Sequence, residues 1–226
     1  MFSLKKYLDK YSGRKIISER EKGPVVTISR EYACSGKDLA MELTKRLNQL
    51  PNIDKKWTWI NKEVFEGTSE ALHLKKEKIL HVFEAEYIST IDSIILNDGD
   101  KYYKSDKEIK EKIIEIVRSF AENGNTIIIG LAGAIITRDI KKSLHIRLYA
   151  PFDWRVKKAA KERNRSISDT IKLAIKIDRK RDNLKKSFQE KNAHTELFDL
   201  SFNVMTMTQN EIIDTIIFMM KKRKLI

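Results

Sequence analysis

A lone cysteine, Cys34, in 226 residues leaves no room for a disulfide framework or a cysteine-based zinc cluster. The four histidines, His73, His81, His145 and His194, show no metal-ligand spacing with carboxylates. No apolar stretch approaches the roughly 20 residues of a membrane-spanning helix; the longest, around 212–220, is broken by Asp214 and Thr215. The opening stretch MFSLKKYLDKYSGRK lacks the apolar core and small-residue cleavage site of a secretory signal. Repeats and low-complexity tracts are missing too, apart from KKRK near the end. These absences exclude disulfide-stapled, membrane-spanning and repeat architectures. What they leave is a cytoplasmic enzyme or binding module with no membrane partner, in a chain long enough to bury one continuous core.

Positive charge is what the sequence has in excess: 45 Lys and Arg against 32 Asp and Glu, a formal +13. From Arg155 to Lys191, 14 basic residues face 5 acidic ones, so +9 of the +13 falls there. A field of that sign attracts polyanions, whether nucleotides, nucleic acid or an anionic surface. The bland alternative is a solvated, lysine-rich helical face. Aromatic residues are not interleaved with the basic run between Arg163 and Lys186, which argues against a stacking platform for single-stranded nucleic acid.

Residues 1–22 carry a weak helical period (Phe2, Leu4, Tyr7, Leu8, Tyr11) and read as a basic helical leader to a domain over 23–226. Gly23-Pro24 releases the chain into VVTIS, a β-branched, apolar run suited to a buried parallel strand. Leu39, Leu43, Leu47 and Leu50 then share a helical face that ends near Pro51. A short strand is expected over 57–60 and helices over 61–123, with a turn at Asn97-Asp98-Gly99-Asp100. Further strands are expected at TIIIG (126–130), at 143–149 and, more polar, at 198–204. Helices are expected from Pro151 to Arg163, over 166–188, and after Thr208, which has capping-box spacing to Glu211. Short apolar strands separated by helices imply right-handed βαβ units and a mostly parallel sheet covered on both faces. Ligands bind such sheets outside the carboxyl ends of the strands, here just after Ile28, Ile129 and Leu148.

After the first strand comes R-E-Y-A-C-S-G-K-D and then a helix. A phosphate-binding loop needs close backbone approach, inward-pointing amides and a helix N-terminus facing the anion. The pattern G-x-x-x-x-G-K-[ST] is met in part: Gly36 and Lys37 hold its G-K positions, Glu31 stands at its first glycine and Asp38 at its hydroxyl. By itself S-G-K-D also suits a plain glycine turn into a helix.

The longer stretch GPVVTISREYACSGKDLAMEL resembles the opening of the cytidylate-kinase-like family of P-loop kinases, whose usual form is roughly TISREYGSGGREIAEKL. The resemblance continues in order. GLAGAIITRD (130–139) resembles the family's GRGADVILRD, and HIRLYAPFDWRVKKAAKERN (145–164) its strand, Ala-Pro and helix with an early arginine. IKIDRKRDNLKKSF (175–188) resembles its I-x-x-x-D-x-x-R segment, and FDLSFNVMTMTQNEIIDTI its closing Y-D-L-V-I-N-T-x-x-L-x-x-E-E. The resemblance implies a three-layer α/β P-loop fold with a mostly parallel central sheet and a helical lid over about 155–190.

It further implies an ATP-dependent transfer of the γ-phosphoryl group to a nucleoside monophosphate or related small acceptor, with Mg²⁺. In this chemistry the protein positions the group and stabilises developing charge. Lys37 would reach the phosphates while the loop from Arg30 through Ala33, Cys34, Ser35, Gly36 and Asp38 cradles them. Arg30 could face the same anion or pair with Glu31. Asp178 would hold the nucleoside and Arg181 the acceptor phosphate, or the two form a helical i,i+3 pair. Arg155 and Arg163 would belong to a lid that closes over the phosphates. Cys34, beside a helix N-terminus and cations, is expected to have a lowered thiol pKa.

Four positions depart from the pattern. Ala33 and Ser35 replace loop glycines. Asp38 offers Mg²⁺ a carboxylate in place of a hydroxyl. Asn61 stands where an Asp ends the second strand. Leu131 stands where G-R-G places an arginine for the acceptor phosphate, a bidentate contact that leucine cannot make. Either a cation such as Arg138 compensates, or the acceptor differs, or phosphotransfer is lost. Three function classes follow: a kinase, a degenerate nucleotide-binding relative acting through a partner, and a basic nucleic-acid-binding module.

Overall fold

A computed structural model describes residues 22–51, 54–63, 111, 113–188 and 197–226. The leader (Lys22 apart), the helices expected over 64–110 and the turn at 97–100 lie outside the described residues.

Five strands, β1 (Val25–Arg30), β2 (Thr58–Ile60), β3 (Thr126–Ile129), β4 (Ser143–Tyr149) and β5 (Leu200–Asn203), form one sheet in the order β2-β3-β1-β4-β5. All of its pairings are parallel. The central strand β1 is buried on both faces, as its unbroken apolar run requires. Val26 and Ile28 point to one side, where they meet helix α1 (Gly36–Gln49) through Leu39, Leu43 and Leu47 and helix α5 (Gln209–Lys222) through Ile212, Ile213 and Ile216. Val25 points to the other side, with Ile113, Ile116, Val117 and Phe120 of the helical stretch 113–123 and with the one-turn helix α2 (Gly133–Ile136). Helices therefore cover both faces, giving the three-layer α/β P-loop kinase fold. On the β1–β4 seam Thr27 Oγ1 and His145 Nδ1, register partners, share a buried 2.8 Å hydrogen bond.

The remaining helices are α3 (Phe152–Glu162), which Pro151 precedes, and α4 (Ile167–Phe188). They pack on each other through Val156, Ala159 and Ala174, with Tyr32 of the loop after β1 completing that small core. No helix among the described residues is long and apolar enough to cross a membrane.

Several boundaries fall a residue or two inside the sequence reading, those before β2 and β5 among them. Trp57 precedes β2 because Asn48, near the end of α1, brackets its backbone: Trp57 N–H donates to Asn48 Oδ1 (2.7 Å) and Trp57 O accepts from Asn48 Nδ2 (3.0 Å). Phe198 lies ahead of β5 and lines the cleft described below.

The capping box before α5 is formed as its spacing requires: Thr208 Oγ1 accepts from Glu211 N–H, and Thr208 N–H donates to Glu211 Oε2 at 2.7 Å. Thr208→Ala removes one half of it and is expected to lower the thermal midpoint by about 2–4 °C, measured by calorimetry.

Candidate functional site

At the carboxyl ends of β1 and β3 the chain leaves the sheet in two divergent loops. Between them and α4 lies a cleft of about 620 Å³, within the usual range for a small-molecule site. Its floor is the end of β1 (Thr27 to Arg30), one wall the turn 129–135, and the other Ile177, Asp178, Arg181 and Leu184 of α4.

The loop from Glu31 to Ser35 turns tightly into α1 without a glycine. Ala33 sits in the left-handed region at φ 63°, where a glycine would be unstrained. Cys34 N–H donates to Glu31 O, and Gly36 N–H to Cys34 O at 2.7 Å across an inverse γ-turn at Ser35 (φ −69°, ψ 68°). The amides of Lys37 and Asp38 follow in the first turn of α1, where a helix offers no internal acceptor. Cys34 does not match its expected activation: it is buried in the core beneath the loop, and burial pushes its thiol up to about 11 against the opposing pull of Arg155 and Lys158.

Tyr32 and Arg155 tie this loop to the basic helices. Arg155, with a side chain only 7% exposed, donates through Nε to Ala150 O (3.0 Å) and lies 3.2 Å from Glu31 Oε2. Through Nη1 it donates to Tyr32 O (3.2 Å) and Asp178 Oδ2 (2.6 Å). Asp178 Oδ1 in turn accepts from Tyr32 N–H at 2.6 Å. Arg163 stacks over the Tyr32 ring (5.2 Å) and donates to its hydroxyl (3.1 Å). Arg147 donates to the other oxygen of Glu31 at 2.9 Å.

Of the expected site residues, Arg30, Asp178, Arg155 and Arg181 line the cleft together. Asp178 and Arg155 spend their charge on each other and on the loop, and Asp178 lies 3.7 Å from Arg181. Lys37 turns toward the end of β2, where Glu63 accepts from it at 3.1 Å and the Trp59 ring lies 5.7 Å away. Asn61 is buried and caps the turn that follows it, its Oδ1 accepting from Glu63 N–H. Asp38 is exposed beside Lys37, and its carbonyl accepts from Gln209. Arg138 is exposed beyond α2 and does not line the cleft. Leu131 is 4% exposed and packs into the core under the turn, so no cation replaces the arginine at that position itself. Among the described residues no group of three or more His, Cys, Asp or Glu is placed to hold a metal ion.

Sequence reasoning missed Tyr32, Glu31 and Glu63. Tyr32 carried one signal, a large aromatic inside a loop built for close approach. Arg155→Met is expected to leave Asp178 and Glu31 without their buried partner and to cost about 3 kcal/mol in urea unfolding. The double variant with Asp178→Asn should lose less than the sum of the single variants.

Two solved structures share this architecture. An uncharacterized protein from Eubacterium ventriosum superposes with a TM-score of 0.57 at 14% identity, over 88% of this chain and 98% of its own. The protein APE1195 superposes with a TM-score of 0.50 at 14% identity, over 90% and 97% of the two chains. A shikimate kinase from Bacteroides thetaiotaomicron gives 0.45 at 10% identity, over 87% and 98%. No curated protein matches the chain. The sequence does match a family profile, from the first residue of β1 through the segment after β5: over residues 25–206 it belongs to the cytidylate kinase-like family.

Proposed function

We propose that the protein is an ATP-dependent phosphotransferase acting on a nucleoside monophosphate or a related small acceptor. The observation that supports this reading most is the mechanical link between the phosphate loop and the basic helices. Tyr32 of the loop is held by Asp178 of α4 and by Arg155 and Arg163 at α3. A change at the phosphates would therefore be felt by α3 and α4, which form the lid of this reading over about 155–190.

In this reading the amides of the first turn of α1 and Lys37 hold the donor phosphates, and Arg163 lies at the lid's hinge over Tyr32. Asp178 and Arg155 position the loop. Arg181 faces the acceptor. A nucleotide-borne Mg²⁺ would need only one or two carboxylates from the protein, since such an ion keeps several waters and takes substrate phosphates. Asp38 and Glu63, on either side of Lys37, are carboxylates of the right chemistry, and the ion would neutralise charge on the transferring group. Lys37 must exchange Glu63 for phosphate; as both side chains are about half exposed, that pair is weak and easily given up.

A nucleotide-binding relative without turnover is the second reading, favoured by the burial of Leu131 where the family's motif has an arginine. The two are separated by incubating purified protein with labelled ATP and Mg²⁺ over CMP, dCMP and UMP. Transfer to one acceptor is expected, reduced about 100-fold or more by Lys37→Ala. Transfer unaffected by Lys37→Ala would sink the assignment of the loop. ATP-induced thermal stabilisation without transfer to any acceptor would favour the second reading.

A further inference from the structure

The carboxylates of the cleft are nearly all taken. Glu31 serves Arg147 and Arg155, Asp178 serves Arg155 and Tyr32 N–H, and Asp182 pairs with Lys185. Arg30, the last residue of β1, is left over. Among the described residues its guanidinium donates no hydrogen bond and meets no carboxylate.

Its path is built into the backbone on both sides. The Arg30 Cγ and Cδ lie 3.4 Å from where a Cβ on Gly36 would stand, and Nη1 lies 2.1 Å from where a Cβ on Gly130 would stand. Any side chain at 130 would displace the guanidinium, and Gly130 also has φ +71°. The guanidinium thus rests on bare backbone between the phosphate loop and the turn after β3. Arg181 closes in from α4, its Nη1 donating to Arg30 O at 3.2 Å. Burial first, and the like charge of Arg181 second, push the Arg30 pKa down; burial does the same to Arg181, against the pull of Asp178. Among the described residues Arg181 has only a shared, 3.7 Å contact with Asp178, and Arg30 has no carboxylate at all, so two crowded guanidinia are left short of negative charge.

We propose that Arg30, with Arg181, binds the phosphate monoester of the second substrate, doing from β1 what the arginine missing at position 131 does not do from the turn. Two guanidinia present the forked donors that fit a phosphate dianion. That the anion belongs to a second substrate rests on the phosphotransferase reading; the anion site does not.

Inorganic phosphate is the probe, titrated calorimetrically into the full chain and followed by thermal unfolding. Wild-type protein should bind it and unfold at higher temperature. Arg30→Gln should weaken binding 10-fold or more, while Lys45→Gln, on the exposed side of α1, should match wild type and control for net charge. Arg30→Gln should also unfold a few degrees higher than wild type in anion-free buffer, because it removes an unanswered cation. A lower midpoint there would mean a structural role and overturn the proposal. Phosphate binding kept by Arg30→Gln but lost in Lys37→Ala would place the anion at the loop and overturn it too. If phosphate binding depends on Arg30 but no acceptor is phosphorylated, the anion site stands and the kinase reading falls. Turnover by Arg30→Gln at an unchanged acceptor KM would overturn the site alone.

Discussion

The organisation around the cleft depends on one buried guanidinium. Arg155 cannot sit at 7% exposure unless acceptors surround it, and those acceptors come from three separate places. Ala150 O belongs to the connection out of β4, Glu31 and Tyr32 O to the loop after β1, and Asp178 to α4. The loop, the β4–α3 corner and the long basic helix are therefore not free to move independently at that point. The same contacts set the charge of the site. By drawing on Glu31 and Asp178, Arg155 and Arg147 leave Arg181 a shared 3.7 Å contact with Asp178 and leave Arg30 no carboxylate among the described residues. A structural ion-pair network and an anion-seeking cleft are thus two sides of one distribution of charge.

Much of the scaffold was legible in the chain. Continuous apolar runs marked β1, β3 and β4, because parallel strands covered on both faces tolerate little else. The Thr208–Glu211 spacing marked the start of α5 because it encodes local hydrogen bonds. What escaped was carried by partners far apart in sequence. Nothing in the letters shows Asn48 holding both backbone groups of Trp57 and so keeping it out of β2. Arg155 read as a lid arginine closing over phosphates, not as a buried anchor of the loop. Its acceptor Tyr32 O lies 123 positions away, so its burial could not be read from spacing. Gly36 and Lys37 were legible as a motif, but the direction Lys37 takes, toward Glu63, was not.

Left-handed backbone around the cleft is held largely by residues other than glycine: Ala33 has φ 63°, and Leu131 and Ala132 have 56° and 50° after Gly130 at 71°. Each non-glycine residue there costs roughly 1–2 kcal/mol relative to an unstrained conformation. The turn is secured by its own bonds, Gly133 N–H to Gly130 O and Ile136 N–H to Ala132 O. A side chain at Gly130 would displace the guanidinium of Arg30, which lies there.

A left-handed turn of three residues and an unanswered arginine against it are both unfavourable in the unliganded chain. Strain of this kind persists when neighbouring structure over-determines it, and it concentrates where ligands bind. Here the two costs share one contact, Gly130 against Arg30. Leu131 adds no cation to the turn and places an apolar side chain in the core beneath it, which stabilises the turn from below. The cation on β1 has the open cleft in front of it. An anion entering the cleft would answer Arg30 and Arg181 together and would find the turn already formed. The binding site is thereby preorganised at the expense of the empty protein's stability.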